Sequence, residues 1–385
     1  MLRDGWTIPD DVTYLNHGSF GLTPRDVLAV QQEWTQRLAA QPMNFYLREM
    51  EPALHAAAEV LAKFVGTKAR HLAFVDNATV AMNIVAQSFP LAAGDEVLLN
   101  DHEYGAVQRI WRATATALGA KVVTAQIPVP ITSAEQMLET LFAAVTPRTR
   151  LIVVSHVTSP TAIVFPVRDI CQRAKQLGIA VCIDGPHAIA MRDVNLDQLG
   201  CDFYCASLHK WLSAPLGTGF FYAAPKWQAK IKTPIVSWGR SVGGRPASWQ
   251  DELNWLGTRN PAGFLAVPAA IRFLENVGLV NFRHTTHELA SEARTMLESL
   301  TGCTAYVPES ADWYGSMITV PLPEGGAQRT QPNAMDPLQQ ALWDKDRIEI
   351  PIVDWHGRRH IRVSCHLYNT RDDLQRLELA LRARL

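Results

Sequence analysis

The chain has 385 residues, 48% hydrophobic and 19% charged, which suits a folded protein with one large and one smaller unit and excludes a disordered or fibrous one. A formal net charge of -1 supplies no global basic field, so nucleic acid is not an expected partner. The polar opening reaches Pro9 at once and no run is apolar enough to span a bilayer, so neither a signal peptide nor a membrane partner is expected, and the location is expected to be cytoplasmic.

In chain order, apolar runs at 72–75, 96–99, 121–124, 151–154, 181–183, 203–205 and 219–222 read as buried strands, separated by amphipathic segments. Three of those segments end in Leu-Gly (118–119, 177–178 and 199–200) just before a strand, where glycine suits a left-handed helix C-cap. Strand and helix alternating from about 70 to 225 predict an α/β fold with a mostly parallel central sheet sandwiched by helices. Beyond 260 the pattern changes to a long helical region (263–300), strands near 316–320, 348–351 and 360–364, and a last helix from Arg371. This predicts a smaller α+β C-terminal domain, with the Pro- and Gly-containing stretch 321–337 as its mobile loop. The expected division is 1–20, 21–260 and 261–385. The six cysteines (171, 182, 201, 205, 303 and 365) are scattered, several in apolar runs, and read as reduced core residues.

The chemistry concentrates at strand ends. Lys210, in Cys205-Ala-Ser-Leu-His-Lys-Trp211, follows a strand beside apolar residues, where burial would lower its pKa and make it nucleophilic enough to form an imine. Ser207 and His209 could donate to a phosphate. A plain surface lysine is the competing reading of this segment. Asp184, in Val181-Cys-Ile-Asp-Gly-Pro-His187, ends another buried strand, and a buried acid there needs a cationic partner such as a protonated pyridine nitrogen. Taken alone it could be a helix N-cap or a metal ligand; taken with Lys210 it points to pyridoxal phosphate. Asn77, Ala78 and Thr79 open a helix, a phosphate-binding position and equally an ordinary N-cap. Cys201, Cys205 and His209 lack the spacing of a zinc knuckle, and no metal is expected.

With these residues in view, the chain resembles the class V aminotransferase superfamily of fold-type I pyridoxal-phosphate enzymes, in the branch that includes isopenicillin N epimerase. The resemblance runs over nearly the whole chain. It rests on Leu15-Asn-His-Gly-Ser-Phe-Gly21, Asn77-Ala-Thr79, Asp101-His-Glu-Tyr-Gly-Ala106, Ser155-His-Val-Thr-Ser-Pro160, Asp184-Gly-Pro-His187, Ser207-Leu-His-Lys210, Gly257-Thr258, Ile361-Arg-Val-Ser364 and Tyr368-Asn-Thr370. It implies that Lys210 carries the cofactor and moves the α-proton, that Asp184 holds the pyridine nitrogen and that His187 contacts the ring hydroxyl. It places Asn77, Ala78, Thr79, Ser207 and His209 around the phosphate. Thr258 would reach the phosphate of a second subunit, implying a homodimer with shared sites. Tyr104 would stack on the ring, with His102 competing for that place. Arg362 would clamp the substrate carboxylate, and Asn16 and His17 would line the substrate entrance. The family's Asp-Gly-Ala-His is Asp-Gly-Pro-His here.

The implied activity is chemistry at the α-carbon of an amino acid. Epimerisation is the first reading, and it needs a second acid such as Tyr104 or His102. C–S lysis and transamination use the same Lys, Asp and Arg. Persulfide chemistry is disfavoured, because the stretch before Ile348 has no cysteine. A catalytically silent cofactor-binding protein is the alternative from another class, and the joint presence of Lys210, Asp184 and Arg362 argues against it.

Overall fold

The computed structural model describes residues 3–325 and 334–385. A short strand, β1 (Thr13–Tyr14), leads into helices α1 (Arg25–Ala40) and α2 (Met50–Phe64). The body follows as β2 (Leu72–Val75), α3 (Ala78–Ser88), β3 (Glu96–Asn100), α4 (Gly105–Leu118), β4 (Lys121–Ala125), α5 (Ala134–Ala143), β5 (Thr149–Ser155), α6 (Val167–Gln176), β6 (Ala180–Asp184), β7 (Phe203–Ser207) and β8 (Gly219–Ala223). These strands form one seven-stranded sheet in the order β2-β8-β7-β6-β5-β3-β4. All pairings are parallel except those of β8, which runs antiparallel to both β2 and β7. The strands from β5 to β8 are buried along nearly their whole length, which is why they read as unbroken apolar runs rather than alternating ones. Gly119, Gly178 and Gly200 all adopt the left-handed conformation expected of them.

The predicted 263–300 helical region is not one helix. α7 (Val267–Val277) and α8 (Leu279–Thr301) meet at Gly278 with a 76° bend. Next come β9 (Met317–Pro321), α9 (Pro337–Asp346), β10 (Ile348–Glu349), β11 (Ile352–Trp355), β12 (Arg358–Ser364) and α10 (Arg371–Arg382). β11, β12 and β9 form an antiparallel sheet. Within the predicted loop 321–337, residues 326–333 lie outside the described residues. The short β10 and the β11 hairpin were not separable in sequence, because Pro351 and Gly357 interrupt the alternation.

Two arrangements decide where the site forms. The chain leaves β3 toward β4 on one side and returns to β5 on the other, so a crevice opens at the carboxyl ends of β3 and β5. The N-terminal segment then crosses to the C-terminal region: Thr13 and Tyr14 pair with Ile348 and Glu349, and Asn16 bridges Ser364. One apolar core, including Leu54, Ile183, Phe282 and Ile361, continues through both regions.

Candidate active site

A cavity of about 670 Å³ opens at this crevice, lined by the residues that follow β2, β3, β5, β6 and β7 and by Arg362 of β12. Lys210, Asp184, His187, Ser207, His209, Asn77, Ala78, Thr79, Tyr104 and Arg362 all line it. Five strand ends and one strand of the smaller sheet thus bring together residues as far apart as Asn77 and Arg362, 285 positions in sequence.

Asp184 ends β6 and is buried, and among the described residues no hydrogen bond offsets the loss of water around its carboxyl. Burial therefore pushes its pKa up to about 7, although Lys210 pulls the other way. Such a carboxyl is suited to a cation that arrives with a ligand. Lys210 sits in the turn after β7, and burial with the nearby Arg362 charge brings its pKa down to about 7, opposed by Asp184.

Its Nζ lies 3.0 Å from His187 Nε2, and the Trp211 indole N–H donates to His187 Nδ1 at 3.3 Å. His187 is buried and held well below the usual histidine range by burial, then by the Lys210 and Arg362 charges.

Opposite, Asn77 caps α3 by accepting from Val80 N–H at 3.0 Å, and Ser207 Oγ accepts from Ala78 N–H at 3.0 Å. The first turn of a helix has N–H groups without helical partners, and here that turn faces the cavity. His209 Nδ1 is buried and has no partner among the described residues. The first turn of α3, the unpartnered Nδ1 of His209, a buried acid and a lysine of lowered pKa fit the phosphate, ring nitrogen and aldehyde of pyridoxal phosphate.

Arg362 is buried, and burial lowers its pKa to about 10 against the opposing pull of Tyr104. Its Nη1 donates to Ser159 O at 2.8 Å and Oγ at 3.1 Å, and Nη2 donates to Ser19 Oγ at 2.6 Å. Its Nε is buried without a partner among the described residues. A charged fork with a spare N–H beside the cavity is suited to a carboxylate.

Several expectations need correction. His102 does not face the cavity: it is buried, bonded to Thr161 Oγ1 at 2.8 Å and Ile127 O at 3.3 Å, with its ring 4.5 Å from that of Trp355. Asn100 Oδ1 accepts from His102 N–H, and the resulting turn sends His102 inward and leaves Tyr104, half exposed, at the cavity. His17 does not line an entrance either. It lies buried behind Lys210, stacked on His366 with ring centres 3.9 Å apart and bonded to Tyr368 OH at 2.9 Å and Lys210 O at 3.0 Å. Asn16 is turned to Glu349, which accepts from its Nδ2 at 3.1 Å. Thr258, expected to serve the site of a second subunit and not its own, is exposed and lies outside the cavity of this chain, which leaves that expectation standing.

Other lining residues carried no assigned role in the sequence. Glu103 is buried and accepts from Ser155 N–H at 2.8 Å and Ser155 O–H at 2.6 Å, with burial pushing its pKa up to about 8. Ser19 and Ser159 steady Arg362, and Trp355 and Phe20 border the mouth. Ser19 and Glu103 sit inside quoted motifs, but a serine or glutamate there carries no signal of which way it points.

Fold and site together define a fold-type I enzyme that works with pyridoxal phosphate. The chain belongs to the class-V aminotransferase family, whose model matches residues 13–377. It is 37% identical to an isopenicillin N epimerase of Amycolatopsis lactamdurans, over 99% of this chain and 97% of that one. It is 26% identical to an L-cysteine desulfhydrase of Arabidopsis thaliana, over 96% and 87% of the two chains. Among solved structures it resembles a mutant of C-DES with glycine covalently linked to the PLP cofactor, at a TM-score of 0.80 and 20% identity over 98% and 97% of the two chains.

Proposed function

We propose that the protein is an epimerase that inverts the α-carbon of an amino-acid substrate, in the manner that the name of the isopenicillin N epimerases describes. The observation that carries this reading is the presence of two proton-handling groups from separate elements in one cavity: Lys210 after β7 and Tyr104 at the start of α4. The chemistry supplied by bound pyridoxal phosphate is withdrawal of electrons from the Cα–H bond. Arg362 orients the carboxylate, so that the α-carbon is presented between the two groups. Lys210, uncharged at neutral pH for a sizeable fraction of molecules, takes the proton from one face. Tyr104 returns a proton from the other. No cysteine lies between Tyr306 and Ser364, which weighs against a persulfide route.

Turnover of an L-amino acid in D2O separates the possible outcomes. Candidate substrates are first chosen by the change they cause in the cofactor's visible band. The expected product is the inverted amino acid carrying deuterium at Cα. Tyr104→Phe should slow inversion by about 10²-fold while α-deuterium still enters the unreacted isomer. Release of a keto acid with sulfide, and no inverted isomer, would replace this reading with C–S lysis.

We further propose a cytoplasmic homodimer in which Thr258 completes the phosphate site of the partner. Support comes from the exposure of Thr258 and, separately, from the exposed apolar residues Ile235, Val236 and Trp238. Sedimentation of the purified protein should give about twice the 42.7 kDa chain mass, and a monomer that binds cofactor fully would refute the shared site.

A further inference from the structure

Lys210 has a direct neighbour in sequence that reaches its amine by a longer path. The indole of Trp211 is fully buried, and its N–H is a donor with no capacity to accept. That N–H is aimed at His187 Nδ1 at 3.3 Å, so Nδ1 has to offer its lone pair. A neutral imidazole carries one proton, and His187 is kept neutral first by its burial and also by the Arg362 charge. The proton therefore resides on Nε2, the atom 3.0 Å from Lys210 Nζ. Two N–H groups cannot donate to each other. Nζ must then accept, and an amine nitrogen accepts only when it is not protonated.

We propose that Trp211 is a positioning residue that fixes His187 in the Nε2–H form, and that this form keeps Lys210 an unprotonated, nucleophilic amine before the cofactor attaches. The other groups that act on Nζ are Arg362 from β12, which also disfavours the ammonium, and Asp184 from β6, which favours it. Were the indole N–H absent, the His187 proton would be free to move to Nδ1. Nε2 would then present a lone pair to Nζ, and the ammonium form would gain a hydrogen bond.

This inference rests on Lys210 as the residue that carries the cofactor and does not depend on which reaction follows. Cofactor-stripped protein is mixed with pyridoxal phosphate across a pH series, and the rate at which the visible band appears is recorded. In the wild type, borohydride should leave the label on Lys210; a label elsewhere would refute the lysine assignment rather than the role of Trp211. Trp211→Phe keeps the ring packing and removes the N–H. Its inflection should lie about one pH unit above that of the wild type, a loss of roughly fivefold in rate at pH 7 and roughly tenfold well below the inflection. The glutamine amide in His187→Gln has no tautomers, so adding Trp211→Phe to it should cause no further shift. An unshifted inflection in Trp211→Phe, or the same shift in both backgrounds, would overturn the proposal and leave Trp211 as core packing. Should Trp211→Phe fail to fold, 15N spectra of the histidines in the wild-type protein decide the matter: a proton on His187 Nδ1 overturns the proposal and one on Nε2 upholds it.

Discussion

Lys210→Ala is expected to bind pyridoxal phosphate without covalent attachment and to lose α-proton exchange by at least about 10³-fold, within the range that a positioned acid–base group contributes. The loss has two sources, since the same nitrogen attaches the cofactor and moves the proton. Binding itself should survive in part, because the cradle of Asn77, Ala78, Thr79 and Ser207 and the acid Asp184 are untouched. Absorbance and dialysis will report this as a band that fades on dialysis and is not fixed by borohydride. The wild type carries a further expectation in its pH dependence. Only the free amine attacks an aldehyde, and burial with Arg362 brings the Lys210 pKa down to about 7. Attachment should therefore accelerate as pH rises through about 7 and level off above it. An inflection in the ordinary lysine range, near 10, would show that the amine is not held in the low-pKa environment described above.

Arg362→Gln is expected to raise the KM for amino-acid substrates, lowering kcat/KM by about 10²-fold, as loss of a charge-assisted pair of hydrogen bonds implies. Arg362→Lys should recover little of this, because a single ammonium cannot reproduce the planar fork held by Ser19 and Ser159. The buried guanidinium also acts on its neighbour: its charge disfavours the Lys210 ammonium, so its removal should move the attachment inflection upward. Parallel measurements of KM and of attachment against pH distinguish this pair of effects from general damage. An unchanged KM for free amino acids would remove Arg362 from carboxylate binding.

How much of this was legible in the sequence follows from what sets each feature. The sheet was readable because parallel strands buried on both faces are continuous apolar runs, as at Val181 and Phe203, and because Gly119 and Gly200 mark helix ends by their backbone alone. Lys210 and Asp184 were readable because charges are rare at buried strand ends. The placement of His17 and His102 was not. Both stand in short polar segments whose direction is set by tertiary hydrogen bonds, His17 by Tyr368 and the Lys210 carbonyl, His102 by Asn100 and Thr161. The choice of Tyr104 over His102 at the cavity is a matter of turn geometry that two ring-bearing residues two positions apart do not encode locally. The bond from Trp211 to His187 spans 24 positions and has no sequence pattern at all.

The crossing of the N-terminal segment to β10 and β12 has a consequence for the order in which this enzyme comes into being. Residues 13–19 are translated long before their partners: Thr13 awaits Asp373, 360 positions later, and Ser19 awaits Arg362. On the ribosome the seven-stranded sheet, complete by residue 223, can form around Lys210 well before those partners emerge. The lysine is then in place while the carboxylate clamp does not yet exist. The carboxylate clamp is thus the last part of the site to be synthesised, and the competence to turn over an amino acid arrives only with the last strands.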